Sequence, residues 1–124
     1  NDAILAHLHR VFPGAWQKNT WGWRLEDRIF LSYGERFDWP DESAPDHGAA
    51  GRCRALSDQL AVLCDGTVVP CCLDHEGTLA LGNLFTQELS DILASPRACR
   101  MREGFACGER TEPLCRRCGY SERF

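Results

Sequence analysis

The stretch Leu60-Ala61-Val62-Leu63-Cys64-Asp65-Gly66-Thr67-Val68-Val69-Pro70-Cys71-Cys72 decides how the second half of this chain folds. Two runs of β-prone residues flank Asp65-Gly66, a pair suited to the positive-φ positions of a type I′ turn, so the spacing predicts a tight hairpin. Pro70 has no backbone donor and ends the second strand, leaving Cys71 at its exit. Seventeen residues separate Cys53 from Cys71. The hairpin between them folds the chain back and brings the two thiols toward each other. Strand alternation sends Cys71 and Cys72 to opposite sides. The Gly-x4-Cys spacing selects Cys71 for that site, with Cys72 as its substitute. Cys64 closes an apolar run and is expected in the core of the first strand.

Downstream, the polar turn Asp74-His75-Glu76-Gly77 leads to Leu79-Ala80-Leu81-Gly82-Asn83. A short helix is expected from Thr86, with Leu89, Ile92 and Leu93 on one face. Ser95-Pro96 predicts a further helix, with Ser as N-cap and Pro at the first helical position. Cys99 and Cys107 flank Gly104-Phe105, read as a turn. Upstream, apolar residues at 4, 5, 8, 11 and 12 predict a helix over 2–12, stopped by Pro13-Gly14. Trp16, Trp21 and Trp23 form an aromatic stretch, expected to pack against a neighbouring domain, before a strand candidate at 28–33. Residues 34–51 are broken by Gly and Pro and carry an acidic run, so they read as a solvated linker. The expected organisation is 1–50 as the end of a preceding domain plus linker, and 51–124 as a cysteine-rich domain. The fold class is α+β: a small hairpin and short helices around a four-cysteine site, with an N-terminal helix–strand segment.

The 124 residues carry 14 Lys and Arg against 18 Asp and Glu, a formal charge of −4, and eight cysteines. The acidic balance argues against nucleic-acid backbone binding. No apolar run approaches the ~20 residues of a membrane span. No basic-then-apolar secretory signal is visible, and the expected location is the cytoplasm.

Three readings of the cysteines compete: a disulfide framework, a metal or iron–sulfur site, and buried thiols acting as small hydrophobes. Cys115-Arg116-Arg117-Cys118 sits among charged residues, where simple burial explains little. A C-x-x-C turn aims both sulfurs at one locus, and Cys53, Cys71, Cys115 and Cys118 together give the four sulfurs of a closed [4Fe–4S] or zinc site. His75 is the one histidine near enough in sequence to substitute as a ligand. Arg97, Arg100, Arg102, Arg110, Arg116, Arg117 and Arg123 concentrate positive charge in the same tail, where it can offset the charge of a four-thiolate cluster or simply face solvent.

The ordered set Cys53, Leu60-Ala61-Val62, Asp65-Gly66-Thr67-Val68-Val69-Pro70-Cys71-Cys72, Asp74, Gly77, Leu81-Gly82-Asn83-Leu84, Leu89 with Ile92-Leu93, Gly104-Phe105 and Cys115-Arg116-Arg117-Cys118-Gly119-Tyr120 resembles the SPASM domain. That domain, with its shorter relative the twitch domain, is the cluster-binding C-terminal extension of radical S-adenosylmethionine enzymes. The resemblance implies an auxiliary [4Fe–4S] cluster on Cys53, Cys71, Cys115 and Cys118. Its expected role is electron transfer or structural support while a peptide, protein or small molecule is modified. The full pattern carries further cysteines after Cys118 that are missing here, so one cluster is expected.

The cysteine spacings contain no C-x3-C-x2-C triplet, the motif that holds the S-adenosylmethionine-cleaving cluster in such enzymes. The chain is therefore expected not to catalyse alone. It reads as a C-terminal piece of a radical oxidoreductase or maturase, with S-adenosylmethionine bound only by the parent and the parent's barrel domain as partner. The main alternative is a structural zinc module mediating protein contacts. A secreted disulfide scaffold ranks third.

Overall fold

Helical spacing near the amino terminus yields α1 (Asp2–Val11), whose first turn is closed by the Leu5 N–H donating to the Asn1 carbonyl at 3.0 Å. The computed structural model describes residues 1–123. After α1 come three strands, β1 (Gln17–Asn19), β2 (Gly22–Glu26) and β3 (Ile29–Ser32), forming an antiparallel meander in the order β1-β2-β3. Asn19 pairs with Gly22 across a tight turn, where Asn19 Oδ1 accepts the Trp21 N–H at 2.9 Å. The strand expected at 28–33 is thus β3, and the aromatic stretch before it supplies β1 and β2. Leu25 is the buried hydrophobe of this sheet, while Trp21 is 82% exposed. Trp16 stacks on His9 with ring centres 3.7 Å apart. These residues form one compact unit, Asn1–Arg36.

The second unit spans Phe37–Phe124. Its hairpin pairs β4 (Ala61–Val62) with β5 (Thr67–Val69) in the register Ala61–Val69 and Val62–Val68. The connection differs from the expected two-residue type I′ turn. Gly66 alone takes positive φ, at 84°, and its N–H donates to the Leu63 carbonyl at 3.0 Å. Cys64-Asp65-Gly66 is therefore a three-residue loop with a glycine bulge. The longer loop displaces Cys64 from the strand, and it lies exposed in the turn instead of in the core. A third strand, β6 (Gly82–Asn83), completes the sheet on the far side of β5. Asn83 fastens the hairpin turn, its side-chain amide donating to the Asp65 carbonyl at 2.8 Å.

The short helix starts later than expected, as α2 (Leu89–Leu93), and buries Ile92 completely. Then α3 (Pro96–Cys107) begins as the sequence predicts, with Ser95 Oγ accepting the Ala98 N–H at 3.3 Å. It runs straight through Gly104-Phe105, which is helix and not a turn, and ends at Gly108 in the left-handed conformation. Cys99 and Cys107 consequently lie about 12 Å apart along one helix axis, beyond disulfide reach. A single-turn helix, α4 (Pro113–Arg116), carries Cys115, and Cys118 lies between it and a 3₁₀ turn at Gly119–Arg123. The core packs Ala55, Leu79, Met101, Phe105 and Leu114 together. Two small antiparallel sheets and four helices among the described residues make the class α+β. Among the described residues, no helix is long and apolar enough to cross a membrane.

Candidate functional site

Three chain segments converge on one apolar cavity in the second unit. The segment before β4 brings Cys53, the exit of β5 brings Cys71, and α4 with the turn after it brings Cys115 and Cys118; all four thiols line the cavity. Local structure dictates each position. Buried Pro70 terminates β5 and delivers Cys71 into a turn closed by the Asp74 N–H on the Cys71 carbonyl at 3.3 Å. Pro113 starts α4, so Cys115 lies in its single turn and Cys118 just beyond it. Cys53, Cys71 and Cys115 also pack against the core cluster, which fixes the floor of the cavity.

The remaining sulfurs lie apart. Cys72 is exposed and is not part of the cavity lining, as are Cys64 and Cys107. Cys99 lies half-buried on α3, within 3.5 Å of an Arg102 nitrogen. His75 is exposed, its ring edge-on to Trp39 at 5.7 Å, outside the cavity. All eight cysteines are free thiols.

The thiols are electrostatically coupled. Burial pushes Cys71 up to about 11, and the neighbouring Cys53 and Cys118 add to that shift. Burial raises Cys115 further still, reinforced by Cys53, Cys71 and Cys118. Cys118 is raised by burial as well, while backbone hydrogen bonds from Ser121 and Tyr120 and the charge of Arg110 act the other way. Backbone groups also reach the other sulfurs: Leu73 and Asp74 at Cys71, and the Ala55 N–H on Cys53 Sγ at 3.5 Å. An apolar pocket of this kind disfavours bare thiolates, while a bound cationic centre would stabilise them and release their protons.

Among the described residues no group of three or more His, Cys, Asp or Glu side chains is arranged to hold a metal ion. Four thiols bordering one cavity supply the donor number of a closed zinc site or of an iron–sulfur cluster. The donor set itself suits a cluster: four soft thiols in an apolar pocket with N–H groups directed at the sulfurs.

Two further side chains stand in the cavity wall, Asp74 from the polar turn and Arg110 from the tail, and their burial was not signalled by the residues around them. Asp74 is 3% exposed and accepts the Thr78 and Leu79 N–H groups at 2.9 and 2.8 Å, bracing the turn after Cys71. Arg110, one of seven arginines in the tail, is 5% exposed. Its Nη1 donates to Ser121 Oγ at 2.6 Å, its Nη2 donates to the Ala50 carbonyl, and its Nε is buried without a partner. Of the other tail arginines, Arg97 pairs with Glu112 at 2.8 Å, and the resulting hydrogen bonds hold the Glu112 carboxyl below its ordinary value.

The chain matches no curated protein and no solved structure. A family model described as SPASM, an iron–sulfur cluster-binding domain, matches residues 53–119, more than half of the chain. The match begins at Cys53, takes in Cys71 and Cys115, and ends one residue after Cys118, so the chain belongs to the SPASM family of iron–sulfur cluster-binding domains.

Proposed function

We propose that Cys53, Cys71, Cys115 and Cys118 hold one auxiliary [4Fe–4S] cluster in the C-terminal domain of a radical S-adenosylmethionine enzyme. The observation that carries this reading is the family match over 53–119, whose span contains four thiols lining a single apolar cavity. The residues perform three tasks: the thiolates ligate, the core beneath them excludes water, and backbone N–H groups stabilise charge on sulfur. Bound there with all four irons on cysteine, the cluster would supply one-electron transfer or structural cross-linking, with no open iron site for substrate. The partner is the barrel domain of the same polypeptide, and the substrate class is a peptide, a protein or a small molecule, in a cytoplasmic setting.

Anaerobic reconstitution of the chain with iron and sulfide tests the assignment. The expected result is iron with acid-labile sulfide and a broad iron–sulfur absorbance that Cys115→Ala abolishes. Stoichiometric zinc in anaerobically prepared protein, or an unchanged spectrum in Cys115→Ala, overturns it in favour of a structural zinc module or a different ligand set.

A further inference from the structure

We propose that Arg110 is the internal counter-cation of this site, a positioning residue that sets the reduction potential of whatever iron–sulfur centre the four cysteines hold. The inference rests on the cluster reading above and assigns to one residue a task that the sequence leaves spread over seven arginines.

Arg110 lines the same cavity as Cys53, Cys71, Cys115 and Cys118 and is 5% exposed. No carboxylate pairs with it among the described residues. Its hydrogen bonds go to two neutral oxygens, Ser121 Oγ and the Ala50 carbonyl, and its buried Nε has none. A buried cation without an anion is costly, and so is a buried donor without an acceptor. In other buried or half-buried positions the tail satisfies its arginines with structural partners: Arg97 on Glu112, Arg116 on the Arg110 carbonyl, Arg117 on the Ala44 carbonyl. Arg110 is the one that lines the cavity bordered by four thiols, and its charge acts on Cys118.

The chain also builds a seat for this group. A Cβ at Gly51, where φ is 146°, would stand 2.9 Å from the guanidinium carbon and from two of its nitrogens, so only glycine lets the planar group lie against the backbone there. Ser121 accepts from Arg110 and donates to the Cys118 carbonyl at 2.6 Å, coupling the cation to the ligand loop.

The chemistry follows from charge. A four-thiolate cluster is net anionic, and reduction adds one electron without adding a proton. A fixed cation in low dielectric stabilises the reduced form more than the oxidised form and so raises the potential. Removing it shifts the equilibrium against reduction at least tenfold, which for a one-electron couple is about 59 mV downward.

The test uses the full chain, anaerobically reconstituted with iron and sulfide, in parent, Arg110→Lys and Arg110→Gln forms. Midpoint potentials come from a redox titration followed by electron paramagnetic resonance, alongside iron and sulfide content. Arg110→Lys keeping the cluster near the parent potential, with Arg110→Gln either lowered by about 59 mV or more or unable to retain the cluster, supports the proposal. Equal potentials in parent and Arg110→Gln overturn it, as does loss of the cluster in both variants, which makes the role one of packing. A parent chain that takes up no iron overturns the cluster reading itself and the proposal with it, an outcome separate from the others.

Discussion

Cys71 and Cys72 are adjacent in the chain and opposite in environment. Pro70 is fully buried at the strand end, Cys71 turns inward onto the core, and Cys72 is exposed. Replacing Cys72 with Ala is expected to leave iron and sulfide content at the parent level, whereas Cys71→Ala loses the cluster; metal analysis after reconstitution compares them. The metal-free chain has its own pH signature. Burial raises Cys71 from an ordinary thiol value of 9.0 to about 11, so the folded state holds its proton where the unfolded state has released it. Stability from this source is complete below pH 9.0 and declines as pH rises through about 11. The melting temperature of the reduced, metal-free protein should fall across that window, and Cys71→Ala should flatten the slope. The ligand candidates were legible from sequence because spacing survives in one dimension. Arg110 was not: the tail holds six similar arginines besides it, and only burial against Gly51 and Ser121 separates it from them.

At the level of elements, the hairpin and α3 read well because their signals are local. Asp65-Gly66 announces a turn, and Ser95-Pro96 announces a helix start whatever the rest of the chain does. Ser95→Ala removes the acceptor for the Ala98 N–H and should cost about 1 kcal/mol, measured by denaturant unfolding of the intact chain. Finer features depended on partners elsewhere. The loop takes three residues because Leu63 pairs back to Thr67, its N–H donating to the Thr67 carbonyl at 2.8 Å, and because Asn83 of β6 clamps Asp65. That choice exposes Cys64. Gly104 remains inside α3 although glycine disfavours helix. The reason is tertiary: a Cβ there would stand 2.6 Å from Thr111 and 2.9 Å from the Glu109 carbonyl, so the returning chain demands the small residue. In the first unit, Trp23-Arg24-Leu25-Glu26 does alternate as a strand should, but the run is short and its neighbour β1 is polar.

Across the whole molecule, residues 37–50 contribute no strand or helix, yet their backbone anchors the cysteine tail. The Gly119 N–H donates to the Asp38 carbonyl at 3.1 Å, His47 donates to the Arg116 carbonyl at 2.8 Å, and Arg110 N–H reaches the Ala49 carbonyl at 2.6 Å. The Phe37 ring meets Tyr120 edge-on at 4.8 Å. A chain beginning at Phe37 is therefore expected to take up iron and sulfide like the full chain, whereas one beginning at Gly51 loses most of that capacity; the two preparations are compared by metal content and circular dichroism. Pro40, Pro45 and Gly48 explain the segment's lack of regular structure, but composition says nothing about where free carbonyls will be used. Sequence alone determined the cysteine spacing, the hairpin that brings Cys53 toward Cys71, the helix start at Ser95 and the α+β class, because each depends on residues near one another in the chain. Tertiary structure decided that four thiols from three segments share one cavity, that Cys64 and Cys72 lie outside it, and that one arginine of seven is buried in its wall. Those outcomes turn on which groups lose water together, and desolvation is a property of the packed molecule that no local stretch of residues contains.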